Sequence, residues 1–375
     1  MIKILTVIGA RPQIIKAAAI SRVIRNSFRD RVQEVILHTG QHYDTNMSQV
    51  FFDELGIPAP DFNLGVGSGS HGKQTARIVE GIEDVLSDGG FDGVILYGDT
   101  NSTLAGAIAA SKLSIPVFHV EAGLRSFNMA MPEEINRIVC DHLSSILFAP
   151  TQTAVDNLTR EGLVDSPARF ADGKKRTVLN VGDVMYDNAL YFSSLASGRS
   201  KVLDACSVQP GNYVLATVHR NFNTDVPERI GAIFNALSFI ADHYSIPIIL
   251  PLHPRTRKYL PFKFSDRIQL IPPASFFDIL TLEKNARLVI TDSGGVQKES
   301  FFFEKPTIIL REETEWVEII DHGAGVLADA DLTRITEAYE SLSGKRVNFP
   351  PLFGDGHAAE KIVSTIISFF TSGNS

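Results

Sequence analysis

Acidic side chains in this chain fall at the ends of short apolar runs, where a proton-transfer site needs them. Asp99 closes the run GVILYGDT (93–100), and Glu121 breaks into PVFHVEAGL (116–124). A carboxylate placed there gains nothing from burial unless a cation or donor pairs with it, and His119 and Arg125 are the nearest candidates. Glu133, in Met131-Pro132-Glu133-Glu134, is the third acid of the set. Three acids converging on one crevice suit proton transfer. Each has a plainer explanation beside it. Asp99 would serve as N-cap of a helix starting near Asn101, Glu121 as half of a structural ion pair, and Glu133 as an ordinary helix-start acid after proline.

Basic and glycine-rich strand ends suggest an anionic ligand. Gly9-Ala10-Arg11-Pro12 follows the first apolar run, with Lys16 one turn into the next helix. A Gly-Pro turn with a solvated arginine is the alternative. Thr217-Val218-His219-Arg220 and Leu252-His253-Pro254-Arg255 each set a histidine beside or near an arginine at a strand end. One such histidine reads as structural, whereas two His/Arg pairs on neighbouring strands point to anion handling. In Asp292-Ser293-Gly294-Gly295-Val296-Gln297-Lys298-Glu299, Ser293 and the paired glycines let backbone N–H groups approach a diphosphate at a helix N-terminus. Glu299, one turn on, is positioned to accept from ribose hydroxyls. A plain glycine turn is the competing account.

These residues need elements to hold them, and the rhythm of the chain supplies them. Apolar runs alternate with amphipathic stretches: KILTVIG (3–9), EVILHTG (34–40), GVILYGDT, PVFHVEAGL and TVLNVGDV (177–184), with helical patterns such as PQIIKAAAISRVIRNS and NMSQVFFDELG between. A second series runs YVLATVHR (213–220), PIILPLHP (247–254), RIQLIPP (267–273), RLVITDSGG (287–295) and PTIIL (306–310). This implies an α/β protein of two doubly wound, Rossmann-like halves, residues 1–185 and 200–355, with the helix 357–371 packing on either. In such sheets ligands bind beyond the carboxyl ends of the strands, which is where the polar residues lie.

Composition narrows the function class. The chain has 375 residues, 44% hydrophobic and 21% charged, in the range of two ordinary globular domains. A formal net charge of -8 without a Lys/Arg run argues against nucleic acid as a partner. The two cysteines, Cys140 and Cys206, sit in unrelated contexts and suggest buried thiols, with no metal site. MIKILTVIG reads as a first strand better than as a signal peptide, and no run approaches the ~20 apolar residues of a membrane span. A cytoplasmic location with no membrane partner is the expectation.

The motifs GARPQIIK, TGQHYD, GDTNSTLAGA, HVEAGLRS, MPEEINR, GDVMYD, TVHR, PLHP, TDSGGVQKE and FGDGHA occur in that order. Together they resemble the non-hydrolysing UDP-N-acetylglucosamine 2-epimerase family over nearly the whole chain. The resemblance implies a glycosyltransferase-B-like fold with a UDP-sugar in the cleft between the halves, a homodimer, and no redox cofactor. It assigns Asp99, Glu121, Glu133 and His219 to catalysis, and Arg11, Lys16, His253, Ser293, Gly294, Gly295 and Glu299 to substrate and UDP.

Departures from the family pattern bear on regulation and substrate. Asn221-Phe222-Asn223 replaces Arg-Glu-Asn, Thr314-Glu315-Trp316-Val317-Glu318 replaces Thr-Glu-Arg-Pro-Glu, and Tyr43-Asp44-Thr45 follows TGQH. These regions include the family's allosteric site, which puts that regulation in doubt. The variants are more like the branch acting on UDP-2,3-diacetamido-2,3-dideoxyglucuronate, whose extra carboxylate Arg255 or Arg257 could meet. A glycosyltransferase of the same architecture and a non-catalytic nucleotide-sugar sensor are the rival functions.

Overall fold

Apolar β-branched runs bury both faces only in a parallel sheet covered by helices, and the chain builds two such sheets. The computed structural model describes residues 1–41, 56–165, 175–196, 198–252, 254–257, 259–260 and 263–371. Most of the stretch read as the helix NMSQVFFDELG, and Tyr43, Asp44 and Thr45, lie outside the described residues.

The chain divides into two compact units, Met1–Asn188 joined by the residues from Leu352 onward, and Ala189–Pro351. In the first, strands β1 (Ile2–Ile8), β2 (Val32–His38), β3 (Phe62–Asn63), β4 (Gly93–Tyr97), β5 (Val117–Val120), β6 (Ile146–Ala149) and β7 (Thr177–Asn180) form one sheet in the order β3-β2-β1-β4-β5-β6-β7. Every pairing in it is parallel. Strands β4, β5 and β6 are buried throughout, whereas both residues of β3, at the sheet edge, are exposed.

The second unit repeats the plan. Strands β8 (Val214–Thr217), β9 (Ile248–Pro251), β10 (Ile268–Ile271), β11 (Leu288–Thr291), β12 (Thr307–Ile309) and β13 (Gly325–Leu327) run parallel in the order β10-β9-β8-β11-β12-β13. Both sheets reverse strand order once, between β1 and β4 and between β8 and β11. Those reversal points are where helices diverge to opposite faces and leave a crevice at the carboxyl ends.

The helix Ala358–Thr371 belongs to the first unit. Asp187 fastens its start, accepting from the N–H groups of Ala358 at 3.1 Å and Ala359 at 2.8 Å. Phe369 packs edge-on against Phe118 of β5, with ring centroids 5.4 Å apart. Both cysteines are free and buried. Among the described residues no helix is long and apolar enough to cross a membrane.

Candidate functional site

At the reversal point of the first unit, a buried glutamine ties the two strand ends together. Gln13 Oε1 accepts from the N–H groups of Gly9 at 2.9 Å and Ala10 at 3.2 Å, capping the turn after β1. Its Nε2 donates to the Tyr97 carbonyl at 2.9 Å and to Thr103 Oγ1 at 3.0 Å, which fixes the turn after β4. Arg11 opens the helix Arg11–Val23 and is exposed; Pro12 supplies the fixed backbone angle of a first turn. Lys16 follows one turn later and is buried.

Lys16 and Glu121 meet over the end of β4. Their ion pair, Nζ to Oε1, is 2.5 Å long, with the side chains 11% and 9% exposed. The partner of Glu121 is thus Lys16, and His119 and Arg125 are engaged elsewhere. Gly98 makes the meeting possible. A Cβ there would lie 3.1 Å from Lys16 Nζ and 3.4 Å from Glu121 Oε1, and its backbone is left-handed at φ +61°. Gly98→Ala is expected to cost about 1–2 kcal/mol through the backbone alone. Urea denaturation checks this, and an unchanged midpoint would refute it. Glu121 is itself left-handed, φ +69°, a conformation that costs a non-glycine residue about 1–2 kcal/mol. Its N–H donates to the Phe148 carbonyl at 3.1 Å, which holds the backbone there.

Asp99 is not a helix cap. Thr100 takes that role, its side chain accepting from the Thr103 N–H, so the Asp99 carboxylate is left for Arg137. Arg137 also donates to Glu134 Oε2 at 2.9 Å. Glu134 is buried and accepts from the N–H groups of Ser126 at 3.0 Å and Phe127 at 2.9 Å, so it anchors the loop before its own helix. Glu133 lies beside it on the helix Pro132–Leu143 but is exposed. Asn136 Nδ2 donates to the Asp99 carbonyl at 2.9 Å, fixing the backbone from which the Asp99 side chain springs.

Beneath this lies a chain of buried charges. His119 Nδ1 is 2.7 Å from Asp141 Oδ1 and Nε2 is 2.8 Å from the Gly98 carbonyl. Both ring nitrogens face acceptors, so the ring carries two protons. Burial opposes that charge, but the Cys140 sulfur and the Asp141 carboxylate outweigh it and hold the pKa well above the usual imidazole value. Asp141 answers with a lowered pKa, since His119 and Arg125 overcome its own burial. Arg125 Nη1 reaches Asp141 at 2.7 Å and Nη2 reaches Glu161 at 2.7 Å. The Gly98 carbonyl immediately before Asp99 is thereby held by an imidazolium.

In the second unit, buried Asp292 organises the end of β8. It accepts from the N–H groups of His219 at 3.1 Å and Arg220 at 3.0 Å and from Asn223 Nδ2 at 3.2 Å. His219 Nδ1 lies 3.2 Å from it, leaving the imidazole half exposed. Ser293 caps the helix Gly294–Phe302, its side chain accepting from the Val296 N–H, and Gly294 and Gly295 form the first turn. Glu299, one turn on, faces Glu283, which is fully buried. Burial first, and then the charge of Glu299, raise the Glu283 pKa well above the carboxylate range. His253 lies outside the described residues.

Several organising residues escaped the sequence reading. Gln13, Asn136 and Arg137 sit within motifs quoted above, yet their spacing matches nothing beyond a helix surface. For Arg137 the i,i+3 relation to Glu134 was a weak signal. Asp292 reads as a strand-end acid and only its three donors reveal its purpose. Trp316 is buried, with the Lys298 ammonium 4.1 Å from its ring centroid.

Comparison with known proteins bears on the fold and the family. A Methanococcus maripaludis UDP-N-acetylglucosamine 2-epimerase homolog is 46% identical over 372 residues, 97% of this chain and 99% of the relative. The UDP-2,3-diacetamido-2,3-dideoxy-D-glucuronate 2-epimerase of Pseudomonas aeruginosa is 47% identical, over 96% of this chain and 98% of its own. The crystal structure of Methanocaldococcus jannaschii UDP-GlcNAc 2-epimerase in complex with UDP-GlcNAc and UDP superposes with a TM-score of 0.84 at 40% identity, covering 97% of this chain and 99% of that one. The family model described as UDP-N-acetylglucosamine 2-epimerase matches residues 26–367, and the chain belongs to that family.

Proposed function

We propose that this chain interconverts the C2 epimers of a UDP-N-acetylated sugar, by eliminating UDP and adding it back. The observation that carries the reading is the Lys16–Glu121 pair: a carboxylate borne on a left-handed backbone and held against an ammonium at 2.5 Å, where a parallel sheet reverses its strand order. Asp99, held by Arg137 nearby in the same unit, is the second acid.

A hydrogen at C2 is barely acidic, so its loss must be coupled to departure of a group whose charge is stabilised. A carboxylate takes the C2 proton, the C–H electrons form the C1–C2 double bond, and the C1–O bond electrons leave with UDP. UDP then adds back to C1 as a proton arrives at C2 from the opposite face. Asp99, Glu121 and Glu133 are the acids of this scheme, and His219 and Arg11 steady the developing diphosphate charge. Ser293, Gly294 and Gly295 offer N–H groups to the same diphosphate, Glu299 takes the ribose hydroxyls, and Lys16 and His253 complete the substrate contacts. A homodimer in the cytoplasm, supplying a precursor of cell-surface polysaccharide, follows from family resemblance.

The test is isotopic. The chain is incubated in deuterated water with UDP-GlcNAc or with UDP-2,3-diacetamido-2,3-dideoxyglucuronate and no acceptor, and proton NMR follows C2. The expected result is deuterium at C2 in both epimers of one of these sugars. Retention of protium with both would refute epimerisation. The 47% identical Pseudomonas relative favours the diacetamido acid, and the M. jannaschii relative, at 40%, favours UDP-GlcNAc; the rates decide between them.

A further inference from the structure

The first residue of the helix Gly294–Phe302 has its side-chain position already occupied. A Cβ on Gly294 would lie 2.5 Å from Glu315 Oε1 and 3.7 Å from Arg311 Nη1. Arg311 Nη1 donates to Glu315 Oε2 at 3.0 Å, and the two side chains are 12% and 23% exposed. Arg311 stands just past β12, the neighbour of β11, from which the Ser293-Gly294-Gly295 turn departs. A helix N-terminus carries partial positive charge and unpaired N–H groups. Here a guanidinium from the adjacent strand end stands beside it, and the anion paired with that guanidinium, next to Gly294, is the chain's own carboxylate.

The segment bearing that carboxylate is fastened to the same helix on either side of it. Thr314 Oγ1 donates to Gln297 Oε1 at 2.6 Å, and Trp316 is buried over Lys298. The Glu315 side chain is therefore the part that can swing while its backbone stays. A diphosphate carries more charge than one carboxylate and matches the guanidinium fork with several oxygens, so it is the stronger claimant for Arg311.

We propose that Arg311 is a diphosphate-binding residue and that Glu315 holds its place until a nucleoside diphosphate displaces it. The inference rests on the UDP-sugar reading above and deepens it. On displacement Arg311 exchanges one anionic partner for another, so its pairing is conserved. Glu315 returns as the product leaves, which weakens UDP binding and favours release.

Isothermal titration of UDP, and separately of uridine, into the full chain tests this. Glu315→Gln removes the competing charge, and its UDP Kd is expected to fall about tenfold. Arg311→Met is expected to raise it about tenfold or more, and Arg311→Lys to fall between Met and the parent. Uridine has no phosphate, so its affinity should not follow these changes. Glu315→Gln binding UDP no tighter than the parent overturns the proposal, even where Arg311→Met is too unstable to titrate. An effect of equal size on uridine overturns it as well. A folded parent that binds no UDP at all sinks the UDP-sugar reading itself. A parent that binds UDP, with Glu315→Gln unaltered, sinks the displacement alone.

Discussion

Replacing Glu121 with glutamine is expected to lower the rate of C2 exchange about 10²–10⁴-fold while leaving UDP affinity within about threefold of the parent. Glutamine keeps the size of the side chain and can turn its carbonyl oxygen to Lys16, so the fold has little reason to change. What it loses, on the proposed mechanism, is the capacity to hold the proton taken from C2. Because the carboxylate is largely buried and paired with Lys16, water cannot readily replace it. The measurement is deuterium incorporation at C2 under saturating substrate, with UDP titrated alongside. A variant retaining more than about a tenth of the parental rate would remove Glu121 from proton transfer. A proportional loss of UDP binding would make it a binding residue instead.

Replacing Asp141 with asparagine is expected to destabilise the protein by about 3–5 kcal/mol, the cost of leaving a buried charge without its partner. Asp141 stands between His119 and Arg125, and both its own side chain and that of His119 are fully buried. The loss should depend on pH in a defined sense. His119 has a folded-state pKa raised above its unfolded value, so its contribution is fully present below about 6.5 and is lost as pH rises through the folded value. Asp141, with a depressed pKa, contributes above its unfolded value of about 3.9 and loses that contribution as pH falls through the folded one. The gap in stability between parent and variant should therefore be widest from about pH 4 to about pH 6.5 and narrow on the alkaline side. Urea denaturation from pH 5 to pH 9 checks this. A gap that widens with pH would show that His119 is neutral in the folded protein.

Fold and site were unequally legible in the sequence. Alternating apolar runs and amphipathic stretches announced two doubly wound sheets, because a strand buried on both faces and a helix covering it leave different periodicities. The polar strand ends were equally plain, since polar residues that interrupt apolar runs stand out. Their partners were not. Glu121 lay four positions from Arg125 and two from His119, yet it pairs with Lys16, 105 positions away. Asp99 was open to reading as a cap until Thr100 proved to be the cap and Arg137 the partner.

The residue types and their order in the chain determined which chemistry was available: acids, cations and a glycine turn at the ends of parallel strands. Only the tertiary structure decided which charges meet. Strand order β1-β4-β5 sets the helix after β1 and the loop after β5 on either side of Gly98, and that neighbourhood has no trace in local spacing. Local pattern reflects what each segment buries, whereas an ion pair depends on which segments the sheet has made adjacent.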